Sequence, residues 1–154
     1  MRASITLATK IGSLTVTELD GAIAALDWGA HAATPAKTPL LAEAARQIRA
    51  YLAGRLKSFD LPLAIAGSPF QRRVFATMRE ISYGTVMSYG DLARAVDSAP
   101  RAIGTACGAN PLPILVPCHR VVASGRKLGG YSGYGGLETK RFLLGLEGAL
   151  LDLR

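Results

Sequence analysis

Asn110-Pro111-Leu112-Pro113-Ile114-Leu115-Val116-Pro117-Cys118-His119-Arg120-Val121-Val122 is the stretch on which the reading of this chain turns. The apolar run Ile114 to Val116 predicts a buried strand. Pro117 ends it, because proline offers no N–H to a ladder. Cys118 then falls at the end of the strand, beside a histidine and an arginine, and Val121-Val122 resumes the apolar pattern. A nucleophilic thiol needs such surroundings: rigid backbone behind it, an open side in front, and cations nearby to favour the thiolate. The other cysteine, Cys107, is expected to be a small buried hydrophobe.

Working back along the chain, Ser88-Tyr89-Gly90-Asp91 reads as a capping box opening a short helix through Val96. Asp97-Ser98-Ala99-Pro100 breaks it, and a second helix is predicted from about Arg101 to Ala109. Two short helices joined by a tight break follow helix-turn-helix grammar. Ala102, Gly104, Thr105, Ala106, Gly108 and Ala109 make the second helix thin. Each glycine costs a helix roughly 1 kcal/mol, so the composition asks for a reason. Close packing against a sheet is one, and insertion into a DNA groove is another.

Pro117-Cys118-His119-Arg120-Val121 resembles the active-site signature of the O6-alkylguanine-DNA alkyltransferases, the methylated-DNA–protein-cysteine methyltransferases. Arg101-Ala102-Ile103-Gly104 and Gly108-Ala109-Asn110-Pro111 are similar to that family's recognition helix and asparagine hinge. The resemblance implies an α/β protein. A small N-terminal ribonuclease-H-like sheet domain is expected over residues 1–63, and a mostly helical, winged helix-turn-helix-like C-terminal domain over 64–154.

The same resemblance implies roles, residue by residue. Cys118 is the nucleophile and alkyl acceptor, and His119 is its base through a water. Glu147, on its own merits a surface glutamate beside the stripe Phe142, Leu143 and Leu146, becomes the acid that orients His119. Tyr89 is the proton donor to the guanine ring, and Asn110 is a hinge that hydrogen-bonds within the site. Arg101 is the finger that fills the stack when a nucleotide is flipped, with Ala102, Gly104, Thr105 and Arg120 also against DNA. Pro117 and the loop Gly129 to Gly136 wall the alkyl pocket, leaving open whether Tyr131-Ser132 or Tyr134-Gly135 lines it. The implied reaction is irreversible transfer from O6-alkylguanine, and from O4-alkylthymine, to Cys118, once per molecule and without a cofactor. The implied partner is double-stranded DNA carrying O6-alkylguanine, bound by a monomer.

Composition bounds these readings. With 49% hydrophobic and 19% charged residues, 154 residues can bury a real core as one domain or two small ones. No apolar run reaches the roughly 18 residues of a membrane span, and the N-terminus offers no signal core. Two cysteines build no disulfide framework, and a free reactive thiol suits the cytoplasm. Cysteines and histidines are too few for a closed four-ligand zinc site. Of the net charge of +7, residues 64–154 hold 11 basic and 6 acidic side chains, net +5. The basic excess thus accompanies the suspected site, as a phosphate-contacting surface requires.

The N-terminal third reads as strands at Ala3 to Lys10, Gly12 to Glu18 and Ala22 to Trp28, the last pair joined at Asp20-Gly21. Thr38 caps a helix whose first residue is Pro39 and which closes at Gly54. Arg46, Arg49 and Arg55 are expected on its solvated face. Ser68-Pro69 repeats that cap for a helix to about Ile81. The glycine-rich loop is no phosphate cradle, since no Lys-Ser/Thr pair follows it. Three other functions compete. A cysteine hydrolase leaves the thin helix without a role. A plain helix-turn-helix regulator needs side chains for major-groove base edges, which this helix lacks. A non-catalytic binder of alkylated DNA differs only in making no covalent product.

Overall fold

Three strands open the chain as an antiparallel meander: β1 (Arg2–Thr9), β2 (Gly12–Leu19) and β3 (Ala22–Trp28), in the order β1-β2-β3. The computed structural model describes residues 1–32, 35–131 and 136–150. Asp20 and Gly21 both adopt positive φ, 49° and 84°, which matches a tight hairpin to the right-handed twist of its strands. Leu7 faces Leu14 and Val16 faces Leu26 across the sheet, and all four are buried. Helix α1 (Pro39–Leu52) covers this apolar face with Leu41, Ala44, Ile48 and Tyr51. Thr38 caps it by accepting from the Leu41 N–H at 3.0 Å, and Gly54 takes φ 77° just past its end. The Thr38 hydroxyl also donates to the buried Glu18 carboxylate, so one side chain satisfies a helix end and a strand acid.

The chain divides into two units, Met1–Ala66 and Gly67–Arg154. In the second, Ser68 and Gln71 cap α2 (Pro69–Arg79) reciprocally, each side chain bonding the other's backbone N–H. Helices α3 (Tyr89–Ala95) and α4 (Pro100–Gly108) form the helix-turn-helix. Only half of the predicted box at Ser88 forms: its hydroxyl accepts from the Asp91 N–H, while the Asp91 carboxylate turns to Arg94. The strand β4 (Met87–Ser88) pairs in parallel with β5 (Val121–Val122), and α5 (Leu137–Leu146) ends the described fold.

The predicted strand at Ile114–Val116 is not a strand. Residues 110–117 fold into a compact loop, with Ile114 at φ 75° and the Val116 N–H bonded to the Leu112 carbonyl at 2.7 Å. Leu112, Ile114, Leu115 and Val116 are nonetheless buried. The apolar run signals burial, and the prolines at 111, 113 and 117 withhold the donors a ladder needs. Cys118 therefore opens a 3-10 turn, Cys118–Arg120, rather than extending a strand. The inward stripe of α5 is Lys140, Leu143 and Leu144, continued by the capping residue Glu147, rotated from the expected Phe142, Leu143 and Leu146.

Replacing Thr38 tests the shared cap. Thr38→Ala should cost the first unit about 1–2 kcal/mol in urea unfolding, while Thr38→Ser, which keeps the hydroxyl, should stay within about 0.5 kcal/mol of the native chain.

Candidate active site

The Asn110 carboxamide sets the loop before Cys118. Its Nδ2 donates to the Val116 carbonyl at 2.9 Å, and its Oδ1 accepts from the Leu112 N–H at 2.9 Å. The same side chain favours the Cys118 thiolate. Cys118 is 7% exposed. Burial pushes its pKa above the ordinary thiol value, against the opposing pull of Asn110 and of the Lys140 ammonium. The resting group is a protonated thiol.

His119 is fully buried, and its Nε2 lies 2.8 Å from Glu147 Oε2. Burial pushes the imidazole below its usual pKa, Glu147 pulls it back up, and Arg120 and Lys140 add to the lowering. The ring is neutral at pH 7, its remaining Nδ1 an acceptor when Nε2 carries the proton. Arg120, expected against DNA, is instead buried. Its Nε donates to Glu147 Oε1 at 2.8 Å, its Nη2 to Oε2 at 2.9 Å and its Nη1 to the Ile81 carbonyl at 2.6 Å. The guanidinium also lies 5.8 Å from the Tyr83 ring centroid. A cation so engaged is structural: it neutralises Glu147 and has no surface from which to meet phosphate.

The Cys118 side chain lines a cavity of about 370 Å³. Tyr89 from α3, Gly104, Cys107 and Gly108 from α4, and Gly130 and Tyr131 form its other walls. Pro117 is buried in the loop and does not line it. Of the glycine-rich segment, Tyr131 stands at the cavity, while Ser132, Tyr134 and Gly135 lie outside the described residues. Gly129, at φ 75°, approaches so closely that a Cβ would sit 3.2 Å from both the Ala123 nitrogen and the Tyr89 ring. Burial pushes the Tyr89 phenol up to about 12, so it keeps its proton and acts as a donor. Cys107, half-buried in the same wall, is pushed up to about 12, also chiefly by burial.

Gly104, Thr105 and Gly108 are exposed, and a Cβ on either glycine would meet nothing within 4 Å. Close packing against a sheet therefore does not explain the thin helix; its bare face is turned outward. Arg101 stands exposed in the first turn of α4, and Ala102 is half-buried beside it.

Lys140 escaped the sequence reading. It is fully buried in α5, and its Nζ donates to the Val121 carbonyl at 2.8 Å and the Gly130 carbonyl at 3.0 Å. The ammonium also stands 5.9 Å from the Tyr89 ring centroid. It thus ties the Cys118 turn to the cavity wall. Its signal was positional: Lys140 and Glu147 lie seven apart, two helical turns, on one stripe with Leu143 and Leu144.

Fold and site define a two-unit protein in which a helix-turn-helix unit carries a buried thiol beside a neutral, acid-supported histidine. Residues 4–65 match the ribonuclease-like domain of 6-O-methylguanine DNA methyltransferase, and residues 69–149 match the DNA binding domain of the same family. A methylated-DNA–protein-cysteine methyltransferase of Mycolicibacterium paratuberculosis is 41% identical over 150 residues, covering 92% of this chain and 90% of the relative. That of Methanosarcina acetivorans is 49% identical over 109 residues, covering 70% and 69%. The crystal structure of Mycobacterium tuberculosis OGT in complex with DNA superposes with a TM-score of 0.82 at 38% identity, over 94% of this chain and 91% of that one. The chain belongs to the methylated-DNA–protein-cysteine methyltransferase family.

Lys140 supplies a pH signature. Burial lowers its pKa from 10.5 to about 8, against the raising influence of Cys107 and Cys118. Between those values the unfolded chain binds the proton more tightly, so the stability contributed at this position rises with pH. Urea unfolding of the native chain and Lys140→Met at pH 7 and pH 10 should show the native chain gaining on the variant by on the order of 1–3 kcal/mol. A constant difference would mean that Lys140 titrates normally.

Proposed function

We propose that this protein repairs alkylated DNA by moving the alkyl group from guanine O6, and from thymine O4, onto its own Cys118 in one irreversible step. DNA repair by alkyl transfer to a protein cysteine is the activity of its family, and the enzyme is a methyltransferase of that kind. The finer assignment rests on one observation above all: a protonated, shielded thiol at a cavity whose outer wall is the side-chain-free face of α4.

The chemistry follows from the neighbours. A water passes the Cys118 proton to His119 Nδ1, while Glu147 at Nε2 steadies the imidazolium that forms. The sulfur lone pair attacks the alkyl carbon, and the carbon–oxygen bond breaks with its electrons going to the base. Tyr89, held neutral, hydrogen-bonds or protonates the leaving guanine ring. Asn110 holds the loop behind the thiol and favours the thiolate during attack. The product thioether has no reductive reversal, so each molecule reacts once and needs no cofactor. Among the described residues no cluster of three metal-ligating side chains exists, and no helix is long and apolar enough to cross a membrane. A free thiol nucleophile suits the reducing cytoplasm, and the chain is taken to act as a monomer.

A base atom inside a duplex is reached by flipping the nucleotide out. The exposed Arg101 in the first turn of α4 is assigned to the vacated stack, with Ala102, Gly104 and Thr105 along the groove.

Intact mass after incubation with duplex carrying O6-methylguanine should rise by one methylene equivalent, mapped to Cys118 and not to Cys107. Cys118→Ser should bind the duplex without gaining mass. Tight binding with no mass change in the native chain would instead identify a non-catalytic binder. Arg101→Ala should slow transfer from duplex by at least tenfold and reaction with free O6-benzylguanine far less. Equal losses on both would place Arg101 in folding or chemistry rather than in flipping.

A further inference from the structure

We infer that the groove between β1 and α1, in the first unit, binds the sugar–phosphate backbone of a nucleic acid. This cavity of about 790 Å³ has an apolar floor of Ile5 and Leu7 from β1 and Ala42, Ala45 and Ala50 from α1. Ala42 and Ala45 lie one turn apart and Ala50 lines the same trough further along, and their small side chains leave it open. Lys37, Arg46, Arg49 and Arg55 line it as well, and all four are exposed. Residues 1–63 hold 7 basic and 5 acidic side chains, so more than half of the unit's cations stand on this one feature. Glu43 pairs with one of them, Arg46. Among the described residues no carboxylate pairs with Lys37, Arg49 or Arg55.

The arrangement is linear, and this selects the ligand. Ala42 to Ala50 is eight residue steps, about 12 Å of helix at 1.5 Å per residue. Lys37 precedes the helix and Arg55 follows it, so the cations are strung along the trough rather than gathered on one point. A lone phosphate or carboxylate would engage one or two of them. A nucleic-acid strand carries one charge about every 3.4 Å along its axis, and so offers several to the same length. An apolar floor accepts sugar faces, and with no aromatic ring in the lining there is no stacking platform for bases, so binding is independent of sequence. The choice of DNA over another linear polyanion rests on the repair function proposed above.

The test uses the full chain and a labelled, undamaged duplex, with affinity followed by fluorescence anisotropy across a salt series. Arg49→Ala/Arg55→Ala should weaken binding several-fold at low salt and make the log–log salt slope shallower by about 1–2, at roughly 0.9 per lost phosphate contact. Arg2→Ala/Lys10→Ala, which removes two exposed cations of the same unit outside the groove, should leave the slope within error of the native value. Reaction with free O6-benzylguanine and the melting temperature should match the native chain in both variants. An unchanged slope in the groove variant overturns the inference, as does an equal change in the control pair, which would reduce the effect to net charge. Labelled polyglutamate bound by the native chain but not by the groove variant, with the DNA slope unmoved, would assign the groove to an acidic protein and overturn it too. The repair reading stands or falls separately, on the mass gain of the native chain.

Discussion

One buried carboxylate holds the active unit together. Glu147, just beyond α5, is bound by His119 Nε2 and by two nitrogens of Arg120, and these two residues follow directly on Cys118. The 3-10 turn that presents the thiol is therefore anchored at two of its three residues to a position 27 or 28 residues on. Such an ion pair adds little net stability, because desolvating both charges offsets their attraction. What it contributes is placement. Removing either partner would leave an uncompensated charge in the interior, so the turn has one well-satisfied geometry. Burial keeps the imidazole neutral against the pull of Glu147, and the charge of Arg120 adds to that lowering, so His119 stays able to accept a proton.

The thiol is held by the opposite logic. A cysteine raised by burial is a poor nucleophile at rest, and that protects a group that can react only once. Asn110 and Lys140 work against the burial, and each also holds backbone: Asn110 the loop before Cys118, Lys140 the carbonyls of Val121 and Gly130. The groups that favour thiolate are thus the groups that fix the cavity.

How much of this was legible depended on the range of the interaction. The caps at Thr38, Ser68 and Ser88 and the Asp20-Gly21 hairpin are local chemistry, where side chain and backbone partner lie within a few residues, and they stand where the residues indicated. The Ile114–Val116 run was legible as buried and illegible as an element, because hydrophobicity reports burial while the loop's shape comes from the Asn110 carboxamide and three prolines. Arg120 and Lys140 were the least legible. Charge predicts exposure unless a partner is found, and their partners lie far along the chain: Glu147 and Ile81 for one, Val121 and Gly130 for the other. The glycines of α4 were legible as an anomaly, but only the open space around them separates an outward bare face from a tightly packed one.

The two faces of α4 explain why a helix with poor intrinsic propensity persists. Ile103 and Ala106 are buried and hold it to its unit, while Gly104, Thr105 and Gly108 face outward and Cys107 reaches the cavity. Burying the apolar pair stabilises the helix by an amount comparable to the roughly 2 kcal/mol that two glycines cost. Larger outward residues would raise propensity and close the approach to Cys118. The cost in helix stability is therefore confined to the exposed face, and the interior carries the compensation. Arg101, also exposed, continues that face in the first turn of the helix, one turn before Gly104 and Thr105.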